Sequence, residues 1–180
     1  MYKTVVILAA FLGLFLTETK PSAAQTVTLS DVTNSGKLLQ PGVYRIGKKR
    51  MRCGRAKTLI SRKFWDYGGA LPNLIILNPS KLNRLPRRLR MFVYEHECAH
   101  QRVGADEVAA DCVAITKGKR EGWLRRRDVQ SVCNRLFKHS KGDRYHPAGP
   151  KRCRLLMQCF DGRATRTANQ GGRMNKADLR

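Results

Sequence analysis

Two pairs of side chains with helical spacing most constrain what this chain can fold into. His96 and His100 belong to a His-Glu-x-x-His pattern that includes Glu97, and Glu107 and Asp111 repeat the same four-residue spacing. Side chains four residues apart lie on one face of an α-helix, about one turn apart. Of the 13 acidic residues in a chain of formal charge +23, five lie in residues 95–111. A bound cation would explain why they are concentrated there.

The two histidines have the spacing and the chemistry of zinc ligands. Zinc prefers four ligands in a tetrahedron, and a catalytic site uses three protein ligands and keeps the fourth position for water. Glu97 directly follows the first histidine, where its carboxylate can reach that water rather than the metal. In metallopeptidases with this pattern the metal polarises the scissile carbonyl and the glutamate transfers protons. We therefore expect His96 and His100 to bind Zn²⁺ and Glu97 to be catalytic.

The third ligand must come from outside the motif. Gly104 is expected to end the first helix, and the turn there would fold a second helix back toward it. We expect Glu107 to be the third metal ligand and Asp111 to orient a ligand histidine. Asp106 is an alternative ligand, although its position suits a helix cap, and Asp111 is another. A solvated acidic helix face is the competing interpretation of the pair.

Three elements of the chain resemble, in the same order, a group of gluzincin metallopeptidases. After His-Glu-x-x-His, residues 107–111 read Glu-Val-Ala-Ala-Asp, similar to the Glu-x-x-Ala-Asp element of the endopeptidases that include the CAAX-prenyl and heat-shock membrane proteases. Residues 145–152, Tyr-His-Pro-Ala-Gly-Pro-Lys-Arg, resemble the His-Pro-x-x-x-x-Arg element of that group. The resemblance implies that His146 stabilises the transition state and that Arg152 braces Glu97 or the substrate.

The amino-terminal residues have the order of a secretory signal peptide. Lys3 precedes an apolar run over residues 5–16, and residues 22–24, Ser-Ala-Ala, supply small side chains for cleavage. We expect residues 1–24 to be removed and the mature protein, with no transmembrane segment, to be exported to the periplasm or the medium. A membrane anchor is the alternative, but the apolar run is short for spanning a bilayer.

All six cysteines follow this segment, and an even number in an exported chain favours disulfides. Cys98 and Cys112 are predicted to face away from the metal, because they lie on other sides of their helices. Cys153 and Cys159 lie too far apart on one helix to pair easily with each other. One of these two is therefore expected to bind Cys133.

The apolar pattern predicts one compact zincin-like α+β domain over residues 25–160, with a small antiparallel sheet packed on the active-site helix and disulfide-linked helices after it. Strand-like runs cover residues 57–65 and 74–78, with glycines and a proline between them. Helices are predicted from Pro86 to Arg102, from Asp106 to near Gly118, from Asp128, and over residues 150–160. Residues 161–180 have no apolar period and are predicted to form a basic, disordered tail.

The sequence thus predicts an exported zinc metallopeptidase that hydrolyses peptide bonds of a peptide or protein substrate. Residues 74–78, as an edge strand, could bind an extended substrate by strand addition. The alternative is a cationic exported binding protein with structural zinc or none, attracted to nucleic acid or acidic cell-surface polymers. Nucleic acid is not expected to be the principal partner, because the chain contains no recognisable binding module for it.

Overall fold

The computed structural model describes residues 28–143 and 146–163, so the predicted signal peptide and residues 164–180 of the predicted tail lie outside the described residues. In chain order the elements are α1 (Leu29–Asn34), β1 (Lys37–Leu39), β2 (Arg45–Ile46), β3 (Lys49–Arg50), β4 (Lys57–Ile60), β5 (Gly68–Leu71), β6 (Leu74–Leu77), α2 (Pro79–Leu82), α3 (Arg87–Val103), α4 (Glu107–Arg120), α5 (Arg126–Val132), a π-helical turn (Cys133–Phe137) and α6 (Gly149–Asp161). The predicted α+β class is confirmed.

The main sheet has four strands in the order β1-β4-β6-β5, and β2 and β3 form a separate pair. β1 pairs antiparallel with β4, and β5 pairs antiparallel with β6. The central pair, β4 and β6, is parallel, with Thr58 opposite Ile75. The sheet is therefore mixed rather than wholly antiparallel, because the chain runs through residues 61–67 and an additional strand before it returns beside β4.

That additional strand is β5, which the sequence analysis assigned to a connection between strands. A Cβ atom at Gly68 would lie 2.9 Å from Cγ of Glu97, and one at Gly69 would lie 2.5 Å from a ring carbon of Phe64. Gly68 thus allows the strand to pass directly over helix α3, and Gly69 leaves room for the Phe64 ring. Glycine is rare in strands. Because the close approach requires glycine here, β5 lacks the β-branched and aromatic residues from which a strand is usually predicted.

The prediction that residues 74–78 form an edge strand was wrong. β6 lies between β4 and β5, so its backbone is paired on both sides. β5 is paired on one side only and is the edge strand next to α3. Residues 74–77 are rich in β-branched and leucine side chains because they are central and mostly buried.

Local signals determine the boundaries of the two central helices. α3 begins after Pro86 and ends at Gly104, whose φ of 63° is a conformation that favours glycine. The Asp106 side chain caps α4 by accepting a hydrogen bond of 2.9 Å from the backbone N–H of Ala109. The sequence predicted that α5 begins at Asp128, but it begins at Arg126 and Asp128 lies in its first turn. The Asp128 side chain accepts a hydrogen bond of 2.8 Å from the backbone N–H of Arg125.

The core lies where α3 packs against the sheet, α4 and α5, while α6 closes over α4. Its largest fully buried apolar side chains come from β6, α3, α4 and α6 and include Ile75, Leu77, Leu89, Met91, Phe92, Ile115 and Leu156. Burying each such side chain contributes roughly 1.5–3 kcal/mol. This packing fixes α3 and α4 against each other, and the two predicted side-chain pairs lie on these helices.

Three disulfides join distant parts of the chain: Cys53–Cys98, Cys112–Cys159 and Cys133–Cys153. The expected pairing of Cys133 with Cys153 or Cys159 is confirmed. The bridges connect the segment before β4 to α3, α4 to α6, and the π-helical turn to α6. In the described part of the chain no cysteine is free, and no helix is long and apolar enough to cross a membrane.

We expect thiol titration of the denatured, unreduced protein to find essentially no free thiol. Two of the disulfides close loops with sequence separations of 45 and 47 residues. In the chain-entropy treatment, a disulfide that closes a loop of this length contributes about 3–5 kcal/mol to the free energy of unfolding. Urea unfolding with and without reductant measures how much of this free energy is lost when the disulfides are reduced. Two or more reactive thiols that disappear when zinc is added would instead favour cysteine ligands.

Candidate metal centre

Three potential ligand groups converge where α3 and α4 pack together. Nε2 of His96 lies 3.1 Å from Nε2 of His100. One carboxylate oxygen of Glu107 lies 3.3 Å from the His96 nitrogen, and the other lies 3.4 Å from the His100 nitrogen. Tetrahedral zinc with ligands at about 2.0–2.1 Å separates its ligand atoms by about 3.3 Å. The observed spacings therefore fit a single zinc ion.

The Glu107 carboxylate supplies a separate indication that a cation belongs here. Its buried Oε2 atom accepts no aligned hydrogen bond within the described residues, although Nε2 of His96 and the Arg152 guanidinium lie 3.3 Å and 3.5 Å from it. A metal ion would give this oxygen a direct partner in addition to those charges. Burial opposes ionisation of Glu107, but its contacts with His100 and His96 outweigh burial and hold its pKa well below the usual range.

The two alternative third ligands are engaged elsewhere. Asp106 accepts the capping hydrogen bond from Ala109. Both oxygens of Asp111 accept hydrogen bonds of 2.8 Å from the guanidinium of Arg152. Of the three carboxylates considered as the third ligand, Glu107 is therefore the one left beside the two Nε2 atoms. The Glu97 carboxylate also lies within 4.8 Å of both histidines.

The outer ring nitrogens of both histidines face oxygen atoms. Nδ1 of His100 lies 2.6 Å from the Gly104 carbonyl oxygen, and Nδ1 of His96 lies 2.9 Å from Asp111, although the latter contact is not aligned as a hydrogen bond. A proton on Nδ1 leaves the Nε2 lone pair free for a metal. Burial lowers the pKa of His96, but Asp111 and Glu107 overcome this and raise it to about 10. The site therefore favours positive charge.

Arg152, which the sequence predicts to brace Glu97 or the substrate, contacts the two carboxylates of α4. The residue is 7% exposed, and its guanidinium forms the two hydrogen bonds to Asp111 and lies 3.5 Å from Oε2 of Glu107. It also stacks 4.0 Å from the ring centroid of Phe137. Because α6 packs on α4, Arg152 reaches the carboxylates of α4 and orients the residue that contacts His96.

Glu97 lies at the centre, as predicted, but on the side that faces strand β5. Its side chain packs beneath Gly68, and it offers a carboxylate oxygen within 4.8 Å of the ligand nitrogens of His96 and His100. Burial raises the pKa of Glu97, and the two histidines only partly oppose that increase. A buried carboxyl in this position is suited to exchange protons with a group bound at the centre.

His146 approaches the centre from the segment before α6. Its Nε2 lies 3.4 Å from Glu107 Oε1, and its side chain is 40% exposed. Asp143 contacts its Nδ1 at 3.0 Å and accepts a hydrogen bond from its backbone N–H at 2.8 Å. Asp143 was not predicted to belong to the site, although aspartates in loops commonly accept hydrogen bonds from nearby backbone N–H groups.

These groups lie in a cleft of about 820 Å³. Strand β5 borders the cleft, and the segment that contains Phe137, Asp143 and His146 also lines it. Three large apolar side chains exposed to solvent line it too: Leu29, Trp65 and Leu71. The cleft therefore offers both an unpaired strand edge and apolar contacts to an extended ligand.

Comparisons of the chain with protein-family models, curated proteins and solved structures find no match. The resemblance to gluzincins stays a prediction from three short motifs. All seven residues predicted for the site are described, and the structure brings them together: His96, Glu97, His100, Glu107, Asp111, His146 and Arg152.

Proposed function

We propose that this chain is an exported zinc-dependent peptidase. The observation that carries the proposal is the convergence of His96, His100 and Glu107 at 3.1–3.4 Å, with the Glu97 carboxyl beside them in an open cleft. When bound, zinc would polarise the scissile carbonyl and lower the pKa of a water molecule. The three disulfides are consistent with an oxidising compartment.

Two residues beside the ligands carry out the steps that the metal does not: Glu97 transfers protons and His146 stabilises the oxyanion. Glu97 accepts a proton from the attacking water and delivers it to the leaving amine. His146, when doubly protonated, donates from Nε2 to the oxyanion that develops on the carbonyl, while Asp143 accepts from Nδ1. The contact with Asp143 orients the ring.

The free edge of β5 supports a peptide as substrate. An extended chain added beside Gly68–Leu71 would receive main-chain hydrogen bonds and pass over Glu97. Trp65 and Leu71 provide apolar surface along the same path. This edge takes the role that the sequence analysis gave to residues 74–78.

Metal removal and reconstitution test the proposal directly. The purified protein is incubated with a mixed peptide library as isolated, after chelation, and after addition of one equivalent of zinc, with metal content measured in parallel. We expect cleavage to disappear with the metal and to return with zinc. If the zinc-loaded protein cuts no peptide, the peptidase proposal fails in favour of the cationic binding protein.

We expect His96→Ala and His100→Ala each to abolish stoichiometric zinc binding, because each removes one of three ligands. Glu107→Ala should weaken zinc binding more than Asp106→Ala, since Asp106 caps α4 instead of facing the centre. Elemental analysis after dialysis gives the zinc content. Full retention of zinc in both histidine variants would refute the assigned centre, and the reverse order of the acidic variants would transfer the ligand to Asp106.

We expect His146→Ala to lower kcat by roughly 10²–10³, the usual loss for one oxyanion donor, with a smaller change in KM. The contact forms mainly in the transition state, so substrate affinity changes less than turnover. His139→Ala is a matched control, because His139 is exposed and does not line the cleft. If His146→Ala turns over substrate as the control does, His146 is not the oxyanion donor.

A further inference from the structure

A second hollow, of about 520 Å³, lies apart from the ligand histidines. It is bounded by residues 52–56, the carboxyl-terminal end of α3 and the last turns of α4. Five basic residues line it: Arg52, Arg55, Arg102, Lys117 and Arg120. No acidic residue lines this basic hollow among the described residues.

Four of the five charges in the basic hollow lack a carboxylate partner in the part of the chain that the structure describes. Lys117 donates to Glu95 at 2.6 Å and is neutralised. Among the described residues no ion pair involves any of the four arginines, whereas Arg88 and Arg152 elsewhere in the fold pair with aspartates. All four arginines are exposed to solvent, so salt weakens their mutual repulsion, but their charges still gather on one concave surface. The basic hollow is therefore arranged to attract an anion.

The basic residues of the hollow come from three parts of the fold: residues 52–56, α3 and α4. The Cys53–Cys98 disulfide lines the basic hollow and fixes the segment that carries Arg52 and Arg55 against α3. On α4, positions 113, 116, 117 and 120 share one face and line the wall. This construction reduces the cost of ordering the arginines when a ligand binds.

The volume and the lining residues of the basic hollow indicate which class of anion it binds. The volume lies within the range of about 300–1,000 Å³ typical of small-ligand sites. No aromatic side chain lines it, so the stacking that supports binding of single-stranded nucleic acid has no platform. Guanidinium groups match the oxygens of phosphate in pairs. We propose that the basic hollow binds a compact oligophosphate, either free or as the phosphorylated part of a larger molecule.

Tripolyphosphate is the probe for this site. Calorimetric titration should give one bound per chain, tighter than orthophosphate or sulfate at the same ionic strength. Arg102→Gln/Arg120→Gln should lower the affinity by about tenfold or more, since each lost contact is charge-assisted. The control is Arg62→Gln/Arg84→Gln, which removes the same charge from exposed positions outside both concavities and should change affinity by less than about threefold.

Equal losses in the two double variants would overturn the proposal, because binding would then follow net charge alone. A single-stranded oligonucleotide that binds at this site more tightly than tripolyphosphate would also overturn it, in favour of nucleic acid. Phosphatidylcholine vesicles with and without a lipid whose headgroup carries two or more phosphates separate the two sources. Binding that requires both this lipid and the two arginines supports a headgroup, and binding of soluble tripolyphosphate alone supports a free ligand. Zinc content and peptide cleavage do not enter any of these outcomes.

Discussion

Glu97→Gln is expected to lower peptide hydrolysis by roughly 10²–10⁴, the usual contribution of a positioned proton-transfer group, while zinc stays bound. The amide has nearly the same shape as the carboxyl, so it fits beneath Gly68 without forcing β5 away. It cannot accept a proton from water. The three ligand side chains are unchanged, and zinc content should therefore stay at one per chain. Turnover of a cleaved library peptide and elemental analysis of the same preparation measure the two effects.

Asp66→Asn is the matched control for that substitution. Asp66 is exposed, lines the same cleft, and accepts a hydrogen bond of 2.6 Å from the backbone N–H of Tyr67 that an asparagine oxygen can also accept. Its neutralisation leaves the ligands and Glu97 in place and removes only a minor electrostatic contribution to the raised pKa of Glu97, so kcat should change far less than in Glu97→Gln. Comparable rates for Glu97→Gln and the control would show that Glu97 is not the general base.

Arg152→Leu is expected to destabilise the fold by about 3–5 kcal/mol, because it leaves the Asp111 carboxylate, 2% exposed, without its bidentate partner. Asp111 would also lose the support that holds it against His96. Zinc affinity should fall by about 10–100-fold, as is usual when the residue behind a ligand histidine is disturbed. Urea unfolding of the metal-free protein and competition with a chelator give the two values.

Two further variants separate the buried pair from the general effect of losing an arginine. Arg154→Leu changes an exposed residue of the same helix and should alter both quantities only slightly. Asp111→Asn/Arg152→Leu removes both charges and should recover part of the stability but not the zinc affinity. If Arg152→Leu is as stable as Arg154→Leu, the hydrogen bonds to Asp111 do not stabilise the fold.

The features that sequence predicted correctly depend on neighbours along the chain. Pro86, Gly104 and Asp106 define the boundaries of α3 and α4, because an initial proline, a positive-φ glycine and a capping carboxylate act within a few residues. The two four-residue spacings then placed His100 and Glu107 on helix faces that could meet. The sequence did not determine the direction of the turn between the two helices, which depends on how α3 and α4 pack together.

What sequence did not predict depends on contacts across the fold. Strand β5 was missed because Gly68 is required by the approach of Glu97, not by the strand itself. The hydrogen bonds of Arg152 to Asp111 were not predicted, because they depend on the packing of α6 against α4, which no local pattern encodes. The pairing of Cys53 with Cys98 was also not predicted, because tertiary packing brings these two residues together.

The hydrogen bond from Nδ1 of His100 ends on a main-chain carbonyl, that of Gly104. No side-chain replacement at position 104 can delete that acceptor, but any change in the path of the backbone can move it. The glycine has φ 63° and ψ −137°, which other residues adopt only with strain. Both the number of residues between the two helices and the glycine at position 104 are therefore constrained by the ring that this carbonyl orients. A residue inserted after Gly104 would disturb that carbonyl, and with it the hydrogen bond that holds the His100 ring, without replacing any functional side chain.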